Sequence, residues 1–427
     1  MFFNKNKLHN DNQASWGREI LAGLIGYLTT FYIVVVNGSI LSQADISLEN
    51  GMIATILASF VGTLLMGIFG RLPLIIIPGM GINVLFAYSI VQGMGLSYQE
   101  GLAVVLIASI IFLITSFSRL GIILKNAVPD SLKHAITVGL GFFIILLGLE
   151  KSQLVVSGEH TILAIGEFTS PNFIVGLITL FLAIFLYIKN IPANFLITMI
   201  GGTALAYLFG TLEPAGSGLT LNLSKAIFIP SFSAINEISF WITVFPLAMI
   251  LIFENMGLLH GQLAMLKQEN RYESAYKITA FSTLTCAFFG TSPTISAAEN
   301  AAVIASKGKT GKAAITASLL FLATIFLIPW ISYIPNTAIS PILIIVGMLM
   351  VQNIRHIALD DISEAIPAFL IVFMIPFTYS IADGMAFGFI AYPLVKIALG
   401  EKKELPKPLL VISGLFLLDF IIKMTGI

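Results

Sequence analysis

Apolar residues run through this chain in long blocks, and the polar residues gather in short joints between them. A helix that crosses the hydrocarbon layer needs about 20 mostly apolar residues, so each block predicts a membrane-spanning segment. The first half gives segments 19–41, 52–69, 73–92, 101–118, 132–149, 172–188 and 193–211. The second gives 239–260, 275–289, 293–306, 312–332, 338–353, 364–380 and 383–399. These fourteen are numbered 1 to 14 in chain order, and the fold class they predict is an all-α polytopic membrane protein. A further apolar stretch, LLVISGLFLLDFIIKM at 409–424, carries Asp419 and Lys423 four apart on one helical face, where they can pair. It reads as a tail helix packed on the bundle or lying in the interface, in preference to a fifteenth crossing.

Two blocks are broken. IIIPGMGINVLFAYSIV, from Ile75, contains Pro78, Gly79 and Gly81, and GTSPTISAAENAAVIA, from Gly290, contains Pro293 and four hydroxyl residues. Proline removes a backbone donor and glycine admits extended or left-handed backbone, so a continuous helix through either is costly. Each predicts a short extended stretch followed by a half-helix, an irregularity tolerated at membrane depth only inside protein or along a cavity. At an offset of roughly 210 to 220 residues segment 1 falls on 8, segment 3 on 10 and segment 4 on 11. Seven is odd, so the second copy is inverted relative to the first. Inverted repeats with paired interrupted segments are a recurrent plan of secondary transporters.

Charge placement fixes the sidedness expected of this pattern. With the N-terminus cytoplasmic, the Lys and Arg residues are assigned to joints on the inner side, except Lys151 and Lys225 in the two longest outer loops and Lys423 in the tail. The N-terminal residues are polar and have no apolar core beside their lysines, so no cleaved signal peptide is expected.

Composition confirms the setting: 57% of residues are hydrophobic, 10% are charged and the formal net charge is zero. An ordinary soluble domain carries about 25% charged residues, and nothing basic points to nucleic acid. The single cysteine, Cys286, excludes an intrachain disulfide and a cysteine-based metal site, and reads as a small core residue. The five histidines lie in joints or at segment ends, and no nucleophile, metalloprotease or phosphate-loop pattern appears. No enzyme, cofactor or metal is expected. His260, two turns after Glu254, reads as interfacial.

The exceptions to apolarity are therefore the candidates. A charge at bilayer depth costs roughly 2.5 to 3.5 kcal/mol even on insertion scales. Glu254 lies mid-segment 8 in LIFENMGLLHG and Glu299 lies in the broken segment 10. The lysines inside the segment bounds, Lys133, Lys277, Lys312 and Lys396, all stand within four residues of a segment end, so neither glutamate is expected to meet a membrane-buried cation of this chain. Each must be protonated, hydrogen-bonded or held by a substrate, and a carboxylate that gains and loses a proton suffices for proton coupling. Asp383, in SIADG, reads as a helix cap; Asp360, Asp361 and Glu364 as solvated or capping; Glu19 and Glu150 as interfacial.

GREILAGLIGYLTTFYIVVVNGSIL, PGMGINVLFAYSIVQGMGLSYQEGLA, FFGTSPTISAAENAAVIASKGKTGKAA and DDISEAIPAFLIVFMIPFTYSIADGMAFGFIAYPLVK resemble the AzgA-like purine permease branch of the nucleobase:cation symporter family, from about Arg18 to Leu399. The resemblance implies a seven-plus-seven inverted repeat with two core parts (19–118 and 239–332) and two gate parts (119–211 and 333–400). These are flanked by a cytoplasmic segment at 1–18, an outer loop at 212–238 and a tail at 401–427. It implies a homodimer in the cell membrane importing adenine, guanine or hypoxanthine with protons, and short strands in segments 3 and 10. Carried over by position, Glu254 and Glu299 contact the base and couple protons. The backbone at Ala297 and Ala298 and the segment 3 strand at Gly81, Ile82 and Asn83 face the base, and Thr30 lies beneath it. The branch usually has aspartate, in a pattern like FDTIGTL, where this chain has Glu254 in FENMGLL, and more hydroxyls before the second acid. A transporter of uracil or xanthine, or of a small anion, is the alternative. Two acids at the site oppose the anion, because they would repel it.

Overall fold

The computed structural model describes residues 16–118, 128–158, 160–212, 227–331, 333–402 and 405–425. The described residues of the predicted segments fall on one helix or on adjoining helical pieces and, in segments 3 and 10, on a strand followed by a half-helix. Among the described residues nine helices are long and apolar enough to cross a membrane, and three shorter apolar ones, Met80–Gly93, Asn194–Leu208 and Ile362–Thr378, accompany them. Large apolar side chains such as Phe181, Phe185 and Ile188 on segment 6 and Phe369 and Phe377 on segment 13 point outward. In water such a surface would be a liability; against lipid tails it costs nothing.

Segment 1 is not one helix. Trp16–Thr30 and Tyr32–Leu41 meet at Phe31, and the hydroxyls of Thr29 and Thr30 bond back to Gly26 O at 2.9 and 2.7 Å. Such back-bonding bends helices. It lets the first half lie close on segments 3, 10 and 11: a Cβ on Gly26 would stand 2.5 Å from Val303, and one on Gly23 would stand 2.4 Å from the Ala313 carbonyl oxygen. Small residues at these crossings are the usual means of close helix approach in lipid.

The two broken segments meet at the centre. Segment 3 contains the strand Ile76–Pro78 and then the helix Met80–Val84, which widens into a π-helical stretch, Leu85–Gly93. Segment 10 contains the strand Thr294–Ser296 and the half-helix Asn300–Ala305. The strands pair antiparallel, Ile76 with Ser296, Ile77 with Ile295 and Pro78 with Thr294. Partners at the centre are 295 − 77 = 218 residues apart, and so are the strand starts, 294 − 76, so a pseudo-two-fold axis passes between Ile77 and Ile295. This places the strand of segment 3 earlier than the resemblance implied. Gly81, Ile82 and Asn83 lie in the first turns of the helix, because Pro78 ends the strand and the chain turns helical immediately after Gly79.

A two-stranded ribbon in a membrane interior leaves edge groups that lipid cannot satisfy. Side chains satisfy them. Asn300 accepts from Ile75 N at 2.8 Å and donates to Ile75 O at 3.1 Å; Thr63 does the same for Ile76, both at 3.0 Å. Tyr98 donates to Gly290 O at 2.6 Å. Gly290 ends segment 9 with φ at 77°, and a Cβ there would stand 2.1 Å from Phe228, so no other residue fits.

Helices pack mainly within two sets. Segment 1 lies on 11, segments 2 and 4 lie on 9, and segment 4 also lies on 8. Segment 5 lies on 12 and 13, 13 on 14, 6 on 7, and 12 on 6 and 7. The tail helix Lys407–Thr425 packs on segments 14 and 8, with Ser413 donating to Phe389 O at 2.5 Å. Asp419 is buried, while the side chain of Lys423, like Lys225 of the outer loop, lies outside the described residues. Two local expectations change. Glu19 is fully buried, accepting the Lys309 and Thr310 N–H groups at 3.0 and 3.2 Å, so it is a core tie and not an interfacial charge. Ser380, not Asp383, caps segment 14. Cys286 is buried as expected.

Candidate functional site

Glu254 lies mid-way along the long helix Ile238–Leu266 of segment 8. Its side chain lines a cavity of about 30 Å³ together with Ile250 and Phe253 of the same helix, Lys133, Ile136, Thr137 and Leu140 of segment 5, and Met350 of segment 12. That volume holds a water or two and no bicyclic base. A larger hollow of about 460 Å³ beneath the hairpin after segment 5 is lined by Leu149, Leu154, Val155, Phe173 and other apolar residues only. Size therefore does not decide; the small cavity is the one that holds a carboxylate at depth.

Gly81 borders the same place. A Cβ on it would stand 2.9 Å from Leu140 and 3.3 Å from Met350, both lining residues. The missing side chain lets segments 5 and 12 close against the half-helix of segment 3. Ile82 and Asn83 are fully buried. Ser292 donates to the Asn83 Oδ1, and the Asn83 Nδ2 has no partner among the described residues.

Glu299 is half-buried just before the half-helix of segment 10 and accepts a hydrogen bond from the Tyr32 hydroxyl. Tyr32 follows the break in segment 1, and its ring meets Phe195 of segment 7 edge-on, centroids 4.8 Å apart. Ala298 is exposed and Ala297 is buried. The N–H of Ala297 is spent on Ile75 O at 2.9 Å and its carbonyl takes Gln262 Nε2 at 2.7 Å. Thr30 is buried with its hydroxyl turned onto its own helix. Glu254, Gly81, Leu140 and Met350 are thus brought together, while Glu299 and Ala298 stand on the side facing segments 1 and 7.

Segments 8 and 10 are tied by side chains that the sequence did not single out as functional. Asn255 Oδ1 accepts from Ser296 N at 3.3 Å, and Gln262 Oε1 accepts from the Ser296 hydroxyl at 2.6 Å. Asn300 also donates to Ser296 Oγ at 3.1 Å. Amides next to an acid, or two turns from it in an apolar helix, are the signal available for such residues. Tyr32 gives none, because a tyrosine in an apolar run is ordinarily core. His260 is exposed against Tyr272, ring centroids 5.4 Å apart, in keeping with its interfacial reading.

One expectation is narrowed. Lys133, at the start of segment 5, lines the same cavity as Glu254, although its ammonium is paired with Asp130. It sits in the first turn of the helix Asp130–Lys151, where the joint-and-segment division hid it.

At the opposite end of segment 5 the two sets of helices touch through polar groups. Lys151 Nζ donates to Ser39 Oγ at 3.1 Å and Ile381 N to Ser89 Oγ at 2.9 Å. Within the second set, Tyr379 at the end of segment 13 donates to Glu150 of segment 5. Lys151 and Ile381 thus tie the second set to the first at this end.

A strand pair crossing at the pseudo-two-fold, flanked by carboxylates on the helices around it, defines a membrane transport protein of the inverted-repeat type. The sequence profile described as "Permease family" (Xan_ur_permease) matches residues 17–387, and the chain belongs to that family. It is 41% identical over 386 residues to "Nucleobase transporter PlAzg2" of Paenibacillus larvae, covering 89% of this chain and 78% of that one. It is 34% identical to "Guanine/hypoxanthine permease PbuO" of Bacillus subtilis, covering 96% and 99% of the two chains. It is 30% identical to "Adenine permease AdeP" of Escherichia coli, covering 94% and 92%. Among solved structures, the transmembrane domain of a cyanobacterium bicarbonate transporter, BicA, superposes with a TM-score of 0.67 at 17% identity, covering 86% of this chain and 96% of that one. SLC26A9 gives 0.67 at 15%, covering 90% and 65%. These two share the fold.

Proposed function

We propose that this permease imports a purine nucleobase, adenine, guanine or hypoxanthine, together with a proton by alternating access, through fourteen crossings with the N-terminus cytoplasmic and as a homodimer. The observation that carries the reading is Glu254 in a small cavity between the two packing sets, in a chain whose relatives are named for nucleobases, guanine, hypoxanthine and adenine. Segments 1–4 and 8–11 form the core and 5–7 and 12–14 the gate; the preference of each segment for partners in its own set supports that division.

A purine edge sets N–H donors beside acceptors, and two carboxylates with backbone and amide groups can satisfy it in a dry pocket. An analogue without those groups would leave them unpaired. The cavity is too small for a base, so loading requires Leu140, Met350 and Lys133 to move away from Gly81 and Glu254. That is a displacement of gate against core, while the polar contacts at Ser39 and Ser89 hold the outer end shut. Proton coupling follows from a half-buried acid at membrane depth whose charge is costly to carry across unloaded.

Uptake of radiolabelled adenine, guanine, hypoxanthine, xanthine and uracil into cells lacking their own nucleobase permeases tests the reading. We expect uptake of at least one purine, reduced by a protonophore and unaffected by bicarbonate or sulfate. Uptake of none above the empty-vector level overturns it.

A further inference from the structure

We infer that Lys133 balances the charge of Glu254 when the carrier returns without substrate, and is a positioning residue for that return step. The inference rests on the transport reading above and goes beyond it by separating two halves of the cycle.

Lys133 is the one cation lining the cavity that holds Glu254. Its side chain is 13% exposed and crosses from segment 5 to segment 8, where the ammonium stands over the Phe253 ring, 5.0 Å from its centroid and one residue from Glu254. A tether on its own helix holds it there: Nζ is 2.8 Å from Asp130 Oδ1, whose side chain is 83% exposed. A pair with so solvated a carboxylate contributes little, so the ammonium can leave Asp130 at small cost. The flexible four-carbon stem of a side chain only 13% exposed lets the head move without the helix moving.

The chemistry then differs between the loaded and empty carrier. Loaded, Glu254 is occupied by the base and its proton, and needs no cation. After both have left, a carboxylate remains in a cavity with room for a water or two. Closing gate on core around an uncompensated charge is expensive; closing it around a carboxylate with an ammonium beside it costs less. Lys133 belongs to the gate and Glu254 to the core, so closure itself brings them together.

Purified full-length protein in proteoliposomes separates the two halves. Net uptake into empty vesicles requires the empty return; exchange against unlabelled internal purine does not. Lys133→Met keeps the stem and removes the charge. Net uptake by this variant is expected to fall about tenfold while exchange stays within about twofold of wild type, the mark of one uncompensated charge in the return step. Lys133→Arg is expected to restore net uptake. Net uptake and exchange falling together, or neither falling, overturns the inference. Should Lys133→Met fail to reach the membrane, the same two measurements on Lys133→Gln decide. Wild type moving no purine in either mode overturns the transport reading and this inference with it; wild type active with the variants unaltered overturns this inference alone.

Discussion

Segments 3 and 10 share one backbone plan and carry opposite chemistry. Each enters as a three-residue strand, pairs with the other across the pseudo-two-fold, and continues as a helix. Applying the 218-residue repeat to the site, 299 − 218 = 81 and 300 − 218 = 82, sets Gly81 opposite Glu299 and Ile82 opposite Asn300. In segment 10 these positions hold a carboxylate bonded to Tyr32 and an amide that completes the ribbon edge. In segment 3 they hold no side chain and a fully buried isoleucine. The duplicated scaffold supplies a backbone crossing at the membrane centre. Function then needs the two copies to differ: one to offer polar groups, the other to be small enough for segments 5 and 12 to close against it.

The sharpest break of this comparison is Glu299→Gln. It keeps the size and removes the charge, so a substrate N–H that met a carboxylate meets an amide. Hydrogen bonds to charged groups contribute roughly 1.5 to 3 kcal/mol, and uptake of the transported purine is expected to fall about 100-fold with membrane abundance unchanged. Uptake within a few-fold of wild type would mean that segment 10 is as inert as segment 3.

Asn300→Ala tests the structural half of the asymmetry. It strips Ile75 N of its acceptor in a fully buried place, and an unsatisfied buried group costs about 1 to 3 kcal/mol. A clear fall in the thermal stability of the detergent-solubilised protein is expected, with transport per folded molecule retained. A variant as stable as wild type would show that the ribbon edge does not need its amide.

Gly81→Ala addresses the opposite position. The new methyl would meet the flexible end of Leu140 at 2.9 Å, which can yield, so the fold is expected to survive. The cavity beside Glu254 shrinks, and KM is expected to rise about tenfold, equivalent to about 1.4 kcal/mol. An unchanged KM would place Gly81 outside the path of the substrate.

How much of this was legible follows from which forces act locally. Segment positions were legible because hydrophobic length and Gly/Pro interruption are local properties; Pro78 and Pro293 announced the broken segments without any tertiary information. The glutamates were legible because a charge among apolar residues has no cheap explanation. The register of the strands was not, since pairing is decided across 218 residues, and the resemblance placed the strand at Gly81 to Asn83 instead of Ile76–Pro78. Nor was Lys133, whose long stem carries its ammonium away from the polar joint that its sequence neighbours define. Glu19 failed in the opposite way: it stands at a segment end, and only the folding of Lys309 and Thr310 onto it reveals a buried tie.

The smallest effect concerns a residue with no polar signature at all. Tyr32 lies in the run YIVVVNGSIL, fully buried among apolar residues, yet its hydroxyl is the donor to Glu299. Segment 3 has nothing comparable, because the position opposite Glu299 has no side chain to receive a donor. Tyr32→Phe leaves the ring contact with Phe195 intact and removes one hydrogen bond. Glu299 is only half-buried, so water can replace part of what is lost, and the net cost is about 1 kcal/mol. Purine uptake is then expected to fall about fivefold, and Tyr32→Phe combined with Glu299→Gln should be no worse than Glu299→Gln alone, since the hydroxyl acts through the carboxylate. A double variant with the two losses multiplied would instead make Tyr32 an independent contact to the substrate, and the polar side of the asymmetry would extend from segment 10 onto segment 1.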